Sequence, residues 1–227
     1  MRVTIEHLAP RVAVAAIVFA GLAVSQARAA DECRAAVEAA FEKQRAFETG
    51  YRFTAQIPGD QGATRMTIDY LPPDRMYQKV EAPGHDKPVE TIAIQRWAWG
   101  TMGGGWEELQ PQFAQSIIAH VRSTLIAPPK ITTEFACLGK LALGGKEFLA
   151  YRADQPSPEA GSQPGTPQLA RTVYLDEVSG LPVANIVARL GDKEGAVFDG
   201  RYSYPTDIRI EPPIGGRDVG PTDATGK

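Results

Sequence analysis

The sequence predicts a mainly β fold with an α-helical lid, a curved antiparallel sheet of about ten strands covered by two or more amphipathic helices. Three observations carry that expectation. Short runs alternate apolar and polar residues with period 2, turn residues separate them at nearly regular intervals, and two longer stretches switch to a period near 3.6.

The chain opens on an export leader. Arg2 and Arg11 give a positive start, Val12 to Val24 form a short apolar run, and Ala27-Arg28-Ala29 has the small-x-small pattern of a cleavage site. The apolar run is short for a bilayer span, so cleavage near Ala29 is expected rather than a membrane anchor, leaving a soluble exported chain. Cys33 follows Ala30-Asp31-Glu32, unlike a lipid-attachment site. Losing residues 1–29 removes Arg2, Arg11 and Arg28 but only Glu6, so the net charge of −3 becomes −5. Nothing basic remains to favour nucleic acid or an anionic membrane surface. Residues 30–210 read as one domain, interrupted by a flexible Pro/Gly/Ser loop at 154–168 and followed by a disordered tail at 211–227.

Cys33 and Cys137 are the chain's two cysteines, so one pairing is available. In an oxidising compartment they are expected to form a disulfide, the alternative being two free thiols. Neither has a third ligand at metal spacing, and no metal or cofactor is expected.

Asp31 begins the first helix, whose stripe is Val37, Ala40, Phe41, Gln44 and Phe47, with Gly50 as its stop. Strict alternation follows in Tyr51–Ile57, again in Arg65–Tyr70, then in Arg75–Glu81 and Val89–Ile94. Arg96 to Trp99 continues the pattern and Trp106 to Leu109 resumes it. The intervening Gly103-Gly104-Gly105 could be a phosphate loop, an aromatic ligand platform or a turn; with no lysine and no helix after it, the hairpin turn is the reading. Trp97 and Trp99 share one strand face, under the lid or edging a cavity.

A second helix spans Pro111 to about Ile126, ended by Pro128-Pro129, with the stripe Phe113, Ile117, Val121 and Leu125. His120, near that stripe, reads as a boundary residue. Strands return at Thr132–Leu138, Lys146–Arg152, Ala170–Leu175, Pro182–Leu190 and Ala196–Tyr204.

Catalytic patterns are scarce. His85 and His120 lie in no metal or triad motif, no G-x-S-x-G elbow occurs, and Glu107-Glu108 and Asp176-Glu177 point to opposite faces if they lie on strands. An enzyme is not expected, and carboxylates converging from distant strands are the one route left open to it. The sheet's apolar face is either filled by the helices or leaves a greasy cavity. Candidates to line such a cavity are Tyr51, Phe53, Ile57, Met66, Ile68, Tyr70, Met76, Trp97, Trp99, Phe113, Ile117, Val121 and Phe148.

Several short stretches tip that balance together. They are Pro73-Asp74-Arg75-Met76 through Val80, Trp99 to Trp106, Pro111-Gln112-Phe113-Ala114, Tyr174-Leu175-Asp176 through Gly180-Leu181-Pro182, and Tyr202-Ser203-Tyr204 through Ile208. In this order they resemble the LolA-like superfamily of periplasmic lipoprotein carriers and their relatives. The resemblance implies an open half-barrel sheet with a helical lid over an apolar cavity. It also implies a periplasmic monomer that binds lipid, acyl chains or acylated lipoprotein cargo, with envelope proteins as further partners. An interaction or sensor domain of the same fold without a stable ligand is the alternative. The cysteine pair, the long loop and the Pro-rich tail depart from the dedicated carrier. The bridge is expected to act as a hinge, fixing one helix end while the other lifts.

Overall fold

The structure, a computed structural model, describes residues 18–101, 104–155, 168–190 and 195–216. Helix α1 (Val18–Arg45) is already running at Val18, ahead of the Asp31 start read from its acidic cap, because the stretch before Asp31 is rich in alanine and holds no proline to break a helix. Its stripe behaves as the spacing dictates: Cys33, Val37, Ala40 and Gln44 are buried. Gly50 then takes φ +79°, and a Cβ there would lie 2.2 Å from the Tyr70 carbonyl oxygen, so only glycine fits the turn into the sheet.

Strands β1 (Tyr51–Ile57), β2 (Thr64–Leu71), β3 (Arg75–Glu81), β4 (Val89–Ile94), β5 (Trp97–Thr101) and β6 (Trp106–Glu108) form an antiparallel meander. Thr101 pairs with Trp106, which makes β5 and β6 a hairpin; residues 102–103 of its turn lie outside the described residues. Helix α2 (Pro111–Val121) follows and loosens into a π-helical turn (Arg122–Ile126) before Pro128-Pro129.

The second meander is β7 (Ala136–Leu143), β8 (Lys146–Gln155), β9 (Leu169–Leu175), β10 (Pro182–Arg189) and β11 (Ala196–Ser203). β7 begins four residues later than Thr132, and most of the loop placed at 154–168, residues 156–167, lies outside the described residues. β1 pairs with β11, so the meanders join into one open, curved eleven-stranded antiparallel sheet with β6 and β7 at its edges. Helix α1 lies over β7 to β10, and α2 lies over the β1–β5 half. Among the described residues, no helix is long and apolar enough to cross a membrane.

Cys33 and Cys137 are joined, tying the start of α1's buried stripe to the β7 edge across a sequence separation of 104. The outer face is not uniformly wet. Over β1, β2 and β11 it carries ion pairs, with Arg52 Nε 2.6 Å from Asp69 Oδ1 and Arg201 Nε 2.5 Å from Asp199 Oδ1. Over β4 and β5 it is apolar, because Ile92, Ile94 and Trp99 alternate outward there. Ile208 and Ile210 from the chain after β11 cover that patch, and Arg75 Nη1 donates to the Ile210 carbonyl at 2.7 Å.

Candidate ligand-binding site

The inner, helix-covered face takes one residue in two from every strand. Tyr51, Phe53 and Ala55 of β1 face the same way as Ile68 and Tyr70 of β2 and Met76 of β3, and all are buried in one cluster with Val121 and Leu125. Met66 and Ile117 pack against its edge. Eight of the expected cavity residues are thus brought together: Tyr51, Phe53, Met66, Ile68, Tyr70, Met76, Ile117 and Val121.

The other five are placed differently. Ile57 shares the inner face by alternation but sits at the strand's end, 41% exposed. Phe113, on the first turn of α2, is 59% exposed. Trp97 and Trp99 point outward, and the reason lies in β5's other side. Ala98 and Gly100 face α2 there, and a Cβ on Gly100 would come within 3.0 Å of Leu109 Cδ2, so no ring fits. Phe148 is also outward, because its strand neighbours Leu149 and Tyr151 are the ones packed with α1.

Aromatic rings dominate the inner face where β1 meets β11. Phe53 lies 4.9 Å from Tyr202 and 6.1 Å from Phe198 between ring centroids, and Phe41 of α1 caps Tyr202 at 6.1 Å. Gly200 makes room for this: a Cβ there would meet the Phe53 ring at 2.7 Å. Phe198 and Tyr202 were legible, since Asp199 and Arg201 alternate with them and demand the wet face. Burial pushes the phenols of Tyr51, Tyr70 and Tyr204 well above their ordinary range and Tyr202 up to about 12, so all remain neutral donors. Two of these hydroxyls have partners in the fold: Gln44 Nε2 donates to Tyr204 Oη at 3.1 Å, Tyr204 donates to the Pro182 carbonyl at 2.7 Å, and Tyr70 Oη lies 2.8 Å from His120 Nε2.

Toward the Ile57 end of the sheet this packing thins. The registers align Val89, Val80, Met66, Ala55, Gly200 and Asn185 in one row across six strands of the inner face. Five strand spacings make that row about 24 Å long. Ala55 and Gly200 are buried in that row, Met66 and Val80 are half-buried and Val89 is 38% exposed, so only its Met66–Val89 part is an apolar strip that neither helix fully covers. At its β4 end it opens into a cleft of about 360 Å³ beside α2, lined by Val89, Thr91, Gly100, Leu109, Phe113 and Ile117. A second cleft, of about 550 Å³, separates α1 from the Pro128–Thr132 connection. Cavities of 300–1,000 Å³ are the usual size for small-molecule sites. Among the described residues, no three His, Cys, Asp or Glu side chains are grouped to hold a metal ion.

Solved structures show where this architecture recurs. The chain is similar to LprF from Mycobacterium bovis, with 12% identity and a TM-score of 0.52 over 81% of this chain and 97% of that one. It is equally similar to the lipoprotein LppX from Mycobacterium tuberculosis, with 11% identity and a TM-score of 0.52 over 80% of this chain and 99% of that one. The fold is the one that these two structures share. A LolA superfamily protein from Nitrosomonas europaea aligns more distantly, with 10% identity and a TM-score of 0.31 over 73% of this chain and 90% of its own. At such identities the likeness to LprF and LppX speaks for the architecture alone. No protein-family model matches the chain, and no curated protein sequence matches it.

Proposed function

We propose that this protein is a periplasmic binding or carrier protein for lipid, acyl chains or lipid-anchored cargo, held between α2 and the inner face of the sheet. The observation that carries this reading is the apolar strip from Met66 through Val80 to Val89, continuous with the cleft beside Phe113 and Ile117. A packed core would bury those side chains; here they stay accessible on a face otherwise lined with aromatics. The Cys33–Cys137 bridge supports an oxidising, extracytoplasmic location. The inner face presents neutral phenols and hydrocarbon, an arrangement suited to binding rather than to proton transfer or nucleophilic attack.

Native mass spectrometry of the mature protein purified from a periplasm, before and after organic extraction, tests the proposal. Heterogeneous adducts of lipid mass that vanish on extraction are the expected result. A single mass at the disulfide-bonded polypeptide value would overturn it and favour the interaction or sensor domain instead, with capture of envelope partners as the next step.

A further inference from the structure

The Cys33–Cys137 bridge is shielded on one side only. Cys33 is 3% exposed within the buried stripe of α1, packed in one cluster with Val37 and Phe135, whereas Cys137 is exposed on β7. Beside the pair opens a cleft of about 510 Å³, lined by Ala30, Cys33, Thr133, Phe135, Cys137 and Arg152. Glu134 and Asp154 complete its rim, and Asp154 Oδ1 lies 3.0 Å from Arg152 Nε. β7 is also an edge of the sheet, so among the described residues no strand pairs with the far side of its backbone. The cleft shares no residue with the one beside α2, which belongs to the other half of the sheet.

A structural bridge resists reduction when both sulfurs are hidden, and an exposed bridge is labile because an attacking thiolate reaches it. Here the two cysteines differ in access, so attack has a direction. We propose that the bridge is a thiol–disulfide exchange site for a reduced protein dithiol of the oxidoreductase class, which enters this cleft and attacks Cys137. The partner's thiolate bonds to Cys137 Sγ, the Cys33–Cys137 bond breaks, and the electron pair leaves on Cys33 Sγ, which takes a proton from water. The partner's second thiolate then attacks its own sulfur in the mixed disulfide and expels the Cys137 thiolate, which is protonated in turn. Two electrons have entered the bridge, the partner leaves as a disulfide, and the reverse sequence reseals it. The open edge of β7 offers backbone N–H and C=O groups with which an extended partner segment pairs beside Cys137. Two rim carboxylates against one guanidinium disfavour a small anionic thiol such as glutathione. Released Cys33 stays under α1, since Val37, Ala40 and Gln44 keep that helix buried without the bridge.

The experiment uses the mature oxidised chain, whose two cysteines make thiol labelling unambiguous. Reduced thioredoxin and dithiothreitol are the probes, and samples are quenched with N-ethylmaleimide and weighed by mass spectrometry. Thioredoxin should open the bridge in buffer faster than dithiothreitol does at equal thiolate concentration. A thioredoxin lacking its resolving cysteine should be trapped on Cys137, with the maleimide on Cys33. Thr133→Trp, which narrows the cleft from an exposed position, should slow thioredoxin while leaving the urea midpoint unchanged. A bridge reached only through unfolding would react with dithiothreitol in buffer at about a thousandth or less of the rate in denaturing urea, because so few chains are open. That result, or a trapped complex on Cys33, would overturn the exchange site. Dithiothreitol outpacing thioredoxin, or an unchanged thioredoxin rate in Thr133→Trp, would overturn the protein partner. Either failure leaves the ligand-binding reading standing, since no residue is shared with it.

Discussion

Opening the Cys33–Cys137 bridge separates what the cross-link contributes from what the packing of α1 contributes. The bridge spans a sequence separation of 104, and closing a loop of that size in the unfolded chain lowers its entropy enough to be worth about 4.7 kcal/mol. Measured losses for bridges of this kind run from about 2 to 5 kcal/mol. Helix α1 does not depend on the bridge alone for its place. Val37 and Ala40 are buried against Phe135, Val173 and Leu175, and a fully buried valine stabilises by about 1.5–3 kcal/mol. At its far end, Gln44 reaches Tyr204 and Lys43 Nζ donates to the Ser179 carbonyl at 2.7 Å, so that end is held as well, contrary to a hinge within α1. The reduced protein should therefore keep its helix content in buffer yet unfold at lower denaturant, with a loss of about 2–5 kcal/mol. Urea titration of the oxidised protein, the reduced protein and Cys33→Ala/Cys137→Ala, followed by far-UV circular dichroism, measures it. Agreement between the last two would assign the loss to the cross-link rather than to the volume of the buried Cys33 side chain. A loss below about 1 kcal/mol would refute the loop-closure argument, and loss of helix on reduction alone would refute the packing argument.

Ile210→Ala should cost about 2–5 kcal/mol and shift tryptophan emission to the red, because Ile210 is 3% exposed and covers Trp99; an unchanged spectrum and midpoint would mean that this segment does not seal the outer face. Gly200→Ala should lose about 1–3 kcal/mol by driving a methyl into the Phe53 ring, whereas a gain would show that the ring yields freely. Burial lowers the His120 pKa, so the unfolded chain takes up a proton before the folded one as pH falls. Stability should therefore be level above about pH 6.5 and decline below it. His120→Gln should remove that part of the acid slope in thermal melts between pH 7.5 and 5; an identical slope in the variant would assign it to other groups.

The elements with one wet and one apolar face were legible from residue order alone. Tyr51–Ile57, Arg75–Glu81 and Val89–Ile94 stand where strict alternation puts them, since a slip by one residue would turn Tyr51 and Phe53 to water. What alternation cannot tell is which face is covered when both are apolar. In β5 the tryptophans are the larger side chains, yet small residues occupy the inner side because α2 presses there, and that contact depends on a helix more than ten residues away. Phe148 turns outward for the same reason: Leu149 and Tyr151 offer an equally apolar alternate face, and α1 packs on that one. Arg171 and Asn185 face inward although an isolated polar residue in a strand reads as outward-facing; only the register with Ala153 and Val173 decides it.

The two helices divide the work of a lid unequally, and that inequality is measurable. Helix α1 is fixed by a covalent bridge, a buried apolar stripe and hydrogen bonds near its C-terminal end. Helix α2 buries Val121 within its own span, exposes Phe113, loosens into a π-helical turn and ends at Pro128-Pro129, where the chain can swing without breaking a regular element. A ligand lying on the strip from Met66 to Val89 would meet α2 first, so α2 is the part expected to lift. Local opening free energies follow buried contact, and α2 has little of it. Amide hydrogen exchange should accordingly show α2 amides exchanging far faster than those of Val37 to Gln44, while β1 to β3 approach the protection of global unfolding. Added myristate should slow exchange in α2 selectively. Protection of α2 equal to that of the central strands in the ligand-free protein would mean that the strip is sealed by a rigid helix, and entry would then have to be sought at the cleft between α1 and the Pro128–Thr132 connection.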